Sequence, residues 1–376
     1  MNYKGDVLFM ETLRNAKKEI MTSRERVQEA FKRQKSDRVP INYSANASID
    51  ARLKKYFSLD AADNFGLINA LGIDFLNASP AYIGPKLHPE VQDRMIDKLW
   101  GTRCRWVEHQ SGGYWDYCDF PFKDADLQLA ETWPMPDPNN FDYKSFSKYC
   151  NKYKDFALHY GDAGLGDIMN SMGMLCGTER IYMAMADEDE ALMRLIDRKI
   201  DVSLEIMRRA IEAAEGNITF VWLGEDLGTQ RGPLISLTSF REILRPRHQK
   251  FIDVAKQYGL PVMIHSCGSS SWAFDDLVEM GINVVDTLQP EAFNMEPSFL
   301  KSRYGNKLAF HGCISTAEPL SHGTEKEVIE NVKSTLKIMM KDGGYCLAPT
   351  HAIQDNSRTE NVVAMYRTAH KYGWYK

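Results

Sequence analysis

The 376-residue sequence lacks several features, and each absence excludes a class of protein. No apolar run approaches the roughly 18 residues that span a bilayer, so we expect no transmembrane segment. The formal net charge is −5, so there is no basic excess of the kind that holds a nucleic-acid backbone. The first residues do not show the charged-then-apolar order of a secretory signal peptide, and we therefore expect a cytoplasmic protein.

Cysteine is scarce and scattered along the chain. The seven cysteines are an odd number and are spread out, which argues against the disulfide framework of small secreted domains. We expect the thiols to be reduced. A cysteine with a function would then be a metal ligand or a nucleophile.

Short apolar strands alternate with helical patterns over most of the chain, which predicts parallel strands covered by helices. The predicted strands lie near residues 38–43, 73–77, 158–165, 218–223, 261–265, 284–288, 308–311 and 344–348. The predicted helices of the second half lie near residues 187–214, 239–258, 272–280, 295–303 and 324–341. Eight strands indicate an α/β fold of the (β/α)8 barrel type. A doubly wound open sheet is the alternative, but neither common glycine-rich phosphate loop follows a strand here.

Two segments are predicted to lie outside the regular barrel. Residues 1–20 are polar, and we expect them to form an N-terminal arm, which could pack on the partner in a homodimer. We expect residues 21–376 to form the barrel domain. Residues 99–121 contain short aromatic runs on either side of Ser111-Gly112-Gly113, a pattern that predicts a β-hairpin excursion.

In parallel barrels the chemistry takes place at the carboxyl ends of the strands and in the loops that follow. The sharpest pattern there is His265-x-Cys267, because residues two apart at a strand end point to one side and can both reach a Zn2+ ion. The alternative is a buried cysteine beside a helix-capping histidine. Candidates for a third ligand are His351, Cys313 and Cys346, of which Cys346 lies in an apolar run typical of a core. Three protein ligands and an open position would indicate a catalytic site.

Other polar residues also follow the predicted strands. Glu225 and Asp226 are adjacent and face opposite ways in an extended chain, so we expect one of them in the barrel mouth as a ligand, a partner of a ligating histidine or a general base. The alternative is a pair of solvated loop acids. His311 is a candidate ligand, a donor to substrate, or a structural histidine. Contacts with substrate are expected from Asp162, Trp222 and Gln289.

Several segments together resemble one family. They are residues 21–27 (MTSRERV), 37–40 (DRVP), 224–236 (GEDLGTQRGPLIS), 265–268 (HSCG), 310–312 (FHG) and 343–354 (GGYCLAPTHAIQ). These segments resemble uroporphyrinogen-decarboxylase-like proteins over about residues 21–376. The resemblance implies a (β/α)8 barrel, in agreement with the predicted strands.

The resemblance favours one branch of that superfamily. True uroporphyrinogen decarboxylases use no metal and bind the porphyrinogen through an arginine-rich segment after the first strand, whereas residues 42–47 here contain no arginine. The chain is more similar to methylcobalamin:coenzyme M methyltransferases and corrinoid-linked demethylating methyltransferases. This implies Zn2+ bound by His265, Cys267 and His351, with a histidine where the coenzyme M enzymes carry a cysteine. It also implies a corrinoid carried by a partner protein.

The sequence therefore predicts a zinc-dependent methyltransferase that moves a methyl group between a small methylated compound, for example a methoxylated one, and a corrinoid protein. Glu225, Asp226 and His311 are the predicted catalytic residues. A metal-free decarboxylase of a tetrapyrrole or small carboxylate is the alternative enzyme. A non-catalytic protein that binds a corrinoid or a methylated ligand is a third hypothesis.

Overall fold

A parallel seven-stranded sheet curls around the centre of the computed structural model, which describes residues 12–13, 18–109 and 112–376. The strands are β1 (Phe75–Asn77), β2 (Met95–Ile96), β3 (Arg103–His109), β4 (Gly112–Tyr117), β5 (Ala157–Gly161), β6 (Phe220–Gly224), β7 (Val262–Ser266), β8 (Val284–Thr287), β9 (Ala309–Ile314) and β10 (Tyr345–Pro349). The curled sheet has the order β1-β5-β6-β7-β8-β9-β10, and all its neighbours are parallel. The predicted barrel architecture is confirmed.

Helices cover the outside of the curled sheet and fill the connections between its strands. In chain order they are α1 (Ser23–Phe31), α2 (Ala47–Tyr56), α3 (Asn64–Leu71), α4 (Leu127–Thr132), α5 (Tyr143–Lys152), α6 (Met169–Cys176), α7 (Thr178–Asp187), α8 (Glu190–Ala213), α9 (Leu237–Ser239), α10 (Arg245–Gln257), α11 (Phe274–Met280), α12 (Pro297–Tyr304), α13 (Glu325–Met339) and α14 (Thr359–Tyr372). None of the helices in the described ranges has the length and apolar composition that a membrane crossing needs.

Residues 38–42 occupy the eighth position of the barrel, between β10 and β1. On one side the Leu347 amide donates to the Pro40 carbonyl (2.8 Å), and on the other the Asp74 amide donates to the Ile41 carbonyl (2.9 Å). The sequence predicts a regular strand here, but the structure has only isolated bridges. The physical reason is that Pro40 has no amide hydrogen and the Ile41 amide donates to the Asp74 side chain (2.8 Å) instead of to a strand.

A buried carboxylate holds this closure at the amino-terminal end of the barrel. Asp74 is fully buried and accepts from the Arg26 and Arg38 guanidiniums, both at 2.7 Å, and from the Ser23 hydroxyl at 2.7 Å. Burial alone would raise the pKa of Asp74, but the two guanidiniums hold that pKa below its usual value. The network ties α1 and residues 38–42 to the start of β1.

The barrel interior is built in layers along the strand direction. The amino-terminal layer is apolar and comes from every strand of the curled sheet: Phe75, Ala157, Phe220, Met263, Val284, Ala309 and Cys346. Side chains two residues further along a strand point the same way, into the next layer. That layer is polar over five consecutive strands: His159, Trp222, His265, Asp286 and His311. The fold thereby places ionisable groups above a packed floor.

The two predicted additions to the barrel have different outcomes. The excursion is confirmed as an antiparallel sheet, β2-β3-β4, in which Trp106 pairs with Trp115. Most of the predicted arm, residues 1–20, lies outside the described residues. In the described part of it, the Leu13 amide donates to the Ala70 carbonyl of the same chain at 2.9 Å.

We expect Asp74→Ala to lower the free energy of unfolding by about 3 kcal/mol, because it removes the carboxylate that two buried guanidiniums share, although Arg26 keeps Asp37 and Arg38 keeps Glu19 as partners. Asp116→Ala is the control, since it removes an exposed partner of Arg105 (3.7 Å) and should cost no more than about 1 kcal/mol. Chemical denaturation measures both. Equal, small losses would contradict this role of Asp74.

Candidate functional site

Three side chains with metal-ligating atoms meet at the carboxyl ends of β6 and β7. One ligating atom each of Asp226, His265 and Cys267 lies within 4.8 Å of the others. His265 Nε2 is 3.3 Å from Cys267 Sγ and 3.8 Å from Asp226 Oδ1. The structure thus brings together the two residues of the H-x-C pair and adds a carboxylate from the neighbouring strand end. We call Asp226, His265 and Cys267 the ligand triad.

The orientation of the His265 ring is fixed from behind by β8. Its Nδ1 lies 2.7 Å from Asp286 Oδ2 and 2.7 Å from the Thr287 hydroxyl, so that Nε2 faces the triad. Burial lowers the pKa of His265, but hydrogen bonds with the Asp286 carboxylate and with Cys267 outweigh it and leave that pKa well above its usual value.

Asp226 is held by hydrogen bonds from two directions. Its Oδ1 accepts from the Cys267 amide at 2.8 Å, and its Oδ2 accepts from the Asn170 side chain, on α6, at 3.0 Å. These bonds fix the carboxylate beside the imidazole and the thiol. Burial raises the pKa of the Cys267 thiol, while the neighbouring His265 ring lowers it by a smaller amount.

His311 lies behind the triad and not in it. Its Nδ1 is 2.5 Å from Asp286 Oδ1, and its Nε2 is 3.1 Å from the Asn42 side-chain amide. Asp286 therefore bridges the imidazoles of His265 and His311. Burial would raise the pKa of Asp286, but both histidines lower it far below its usual value. Trp222 packs against His311 with ring centroids 5.4 Å apart, and within the described ranges its buried indole N–H has no acceptor.

Glu225 points away from the triad, toward the start of α6. It is buried, and its two oxygens accept from the backbone amides of Ile168 (2.9 Å) and Met169 (3.0 Å). Burial raises the pKa of Glu225 to about 8. Burial and the neighbouring Glu225 carboxylate also raise the pKa of Asp167 to about 8. Of the adjacent acids, Asp226 reaches the candidate site and Glu225 anchors a helix.

The remaining predicted residues are not members of the ligand triad. Gln289 Oε1 accepts a hydrogen bond from the Gly268 amide at 2.6 Å and so holds the loop after Cys267. Asp162 accepts the Gly164 amide at 2.8 Å within its own loop. His351 is exposed, with Nδ1 3.1 Å from the Ala352 carbonyl, and lies outside the triad, so its role as a third ligand stays a prediction. The other candidates for that position are buried in the core: Cys313 and Cys346.

Sequence reasoning missed Asp286, Thr287 and Asn170. Asp286 had a detectable signal, since it is an acid inside the apolar strand Val284–Thr287 and a buried charge needs a partner. Asn170 had none, because its role depends on how α6 packs against the loop after β6.

The donor set of the triad suits zinc. Imidazole nitrogen, thiolate sulfur and carboxylate oxygen are the three ligand types that Zn2+ takes in proteins. In addition, the second ring nitrogen of a metal-binding histidine usually donates a hydrogen bond to a carboxylate, as His265 Nδ1 does to Asp286. The residues present therefore fit a zinc ion.

Comparisons with known proteins identify the family and the fold. The family model described as uroporphyrinogen decarboxylase (URO-D) matches residues 168–372, which is more than half of the chain. Among solved structures, a methyltransferase from Methanosarcina mazei is similar, with 17% identity, a TM-score of 0.64, and coverage of 94% of this chain and 99% of that chain. At this identity the likeness shows the fold alone. No curated protein matches the sequence.

We expect Gly268→Ala to destabilise the loop that carries Cys267. Gly268 has φ +67°, and a Cβ there would lie 2.3 Å from the Gly228 carbonyl oxygen. Gly216→Ala is the control, because Gly216 has φ +81° with nothing within 4 Å, so it should show only the cost of about 1–2 kcal/mol of a left-handed conformation. Denaturation should give a clearly larger loss for Gly268→Ala; equal losses would refute the close approach.

Proposed function

The chain belongs to the uroporphyrinogen decarboxylase (URO-D) family, and from this premise we propose that it is a zinc-dependent methyltransferase. It moves a methyl group from a small oxygen-linked methyl donor to a corrinoid carried by a partner protein. The observation that carries the proposal is the ligand triad, whose nitrogen, sulfur and oxygen atoms converge within 4.8 Å at the barrel mouth.

Two further observations favour methyl transfer over porphyrinogen decarboxylation. Residues 42–47, which begin at the last residue of the segment that closes the barrel, contain no arginine to hold the carboxylates of a porphyrinogen. The similar solved structure is that of a methyltransferase.

Three side chains would bind the metal, and three others orient those ligands. His265 Nε2, Cys267 Sγ and the Asp226 carboxylate would hold Zn2+, which as a Lewis acid makes an oxygen a better leaving group. Hydrogen bonds with Asp286 and Thr287 fix the orientation of the His265 ring, and a hydrogen bond from Asn170 fixes that of the Asp226 carboxylate. A ligand set with one thiolate is less electron-rich than a set with two and leaves the zinc more Lewis acidic, which favours a donor whose methyl group is bound to oxygen.

The proposed transfer balances in atoms and electrons. The bond between the methyl carbon and the donor oxygen breaks, and its electron pair stays on the oxygen. Cobalt(I) of the corrinoid supplies the pair for the new cobalt–carbon bond and becomes formally cobalt(III). The departing alkoxide or phenolate takes a proton from water.

Metal content and methyl transfer test the proposal together. We expect the purified protein to bind about one zinc ion per chain and to convert cob(I)alamin to methylcobalamin with methoxylated aromatic compounds as donors. His265→Ala and Cys267→Ala should lose the zinc and at least about 100-fold of the transfer rate, because each removes a ligand. Elemental analysis and the visible spectrum of the corrinoid measure these results.

Matched substitutions separate the site from general damage. His322→Ala removes an exposed histidine and Cys118→Ala a cysteine at the end of the hairpin, and both should retain zinc and activity. His351→Ala tests whether this residue is a further ligand. Full zinc content in the His265 and Cys267 variants would refute the site, and metal-free turnover of a porphyrinogen would establish the decarboxylase instead.

A further inference from the structure

A cavity lies beside α6, and Ser171 and Met172 of that helix line it. It has a volume of about 510 Å3, which is within the usual range of small-molecule sites. Ser171 on α6 lines it, whereas the preceding residue, Asn170, binds Asp226 of the triad. In the described part of the chain, no member of the triad lines this cavity. The cavity and the triad therefore use different side chains.

The walls of this cavity are largely apolar. Five of the side chains that line it are aromatic: Trp100, Tyr117, Phe141, Tyr160 and Phe251. Trp100 lies between β2 and β3, and Tyr117 ends β4, so the excursion from the barrel forms one wall. Flat apolar walls of this kind favour a ligand with an aromatic body.

Lys199 on α8 is the one cationic side chain that lines the cavity within the described residues. Its Nζ donates to the Ser171 hydroxyl at 3.1 Å and lies 5.1 Å from the centroid of the Trp100 ring. This ammonium has three N–H donors, of which the Ser171 hydroxyl takes one, while the Asp167 and Asp97 carboxylates attract it through space. Burial lowers the pKa of Lys199 to about 8, as expected for a desolvated amine.

The acids around the cavity are engaged with their own loops. Asp97 Oδ1 accepts from the backbone amides of Leu99 (3.0 Å) and Trp100 (2.6 Å), and Asp162 Oδ1 accepts from that of Gly164. Together with Asp167 they make the surroundings unfavourable for a multiply charged anion. Lys199 and Ser171 remain as a donor pair that suits one carboxylate.

We propose that this cavity binds a small aromatic monocarboxylate, with its carboxylate on Lys199 and Ser171 and its ring against the aromatic side chains of the lining. The site goes beyond the proposed methyl transfer, because it uses none of the ligand triad. It also assigns a role to the excursion, which forms one wall of the cavity.

Calorimetry with 2-naphthoate and its neutral analogue 2-naphthamide tests the site. The wild-type protein should bind the naphthoate saturably and at least tenfold more tightly than the amide. Lys199→Met keeps most of the side-chain volume without the charge and should weaken naphthoate binding at least tenfold, and Ser171→Ala should weaken it several-fold. Lys301→Met is the matched control, since Lys301 is also half-buried but lies outside this cavity, and it should bind as the wild type does.

The outcomes distinguish this site from the proposed metal centre. His265→Ala should bind 2-naphthoate with unchanged affinity, whether or not the zinc proposal holds. Absence of saturable binding to the wild type, equal affinity for the amide, or unchanged affinity in both Lys199→Met and Ser171→Ala would overturn the proposal. So would loss of binding in His265→Ala, since the carboxylate would then be bound at the triad.

Discussion

One buried carboxylate, Asp286, sets the geometry of the candidate site. It accepts hydrogen bonds from Nδ1 of His265 at 2.7 Å and from Nδ1 of His311 at 2.5 Å. Each ring therefore presents its Nε2 to its other neighbours. An isolated carboxylate at this depth would be costly, so its two partners are as necessary to it as it is to them. The result is that His265 presents Nε2 to Cys267 and Asp226, while His311 stays in the interior.

The barrel makes this arrangement possible because the residues that stabilise the fold lie at the amino-terminal ends of the strands, whereas the candidate site lies at their carboxyl ends. At the amino-terminal end, Asp74 joins Arg26 and Arg38 and completes the ring where no regular strand forms. The apolar layer above it provides a rigid floor. Polar side chains then share the next layer and the loops, where a low-dielectric surrounding strengthens their hydrogen bonds. The candidate site therefore depends on packing that takes place at the opposite end of the strands.

The sequence predicts the fold well, because the alternation of strands and helices is a local signal. It predicts the approach of His265 and Cys267 for the same reason, since a strand end places residues two apart on one side. It does not predict Asp226 as the third member of the group in preference to His351, because that choice depends on how the loops after β6 and β10 fold over the mouth. Asp286 is predictable in hindsight: it stands two residues after the floor residue Val284, as His265 does after Met263.

X-ray absorption at the zinc K-edge of the purified protein tests the central claim most directly. The account predicts a single sulfur neighbour at about 2.3 Å together with nitrogen or oxygen neighbours at about 2.0–2.2 Å. The single-sulfur signal should disappear in Cys267→Ala. A shell without sulfur, a shell with two sulfurs, or a protein that takes up no zinc would contradict the account.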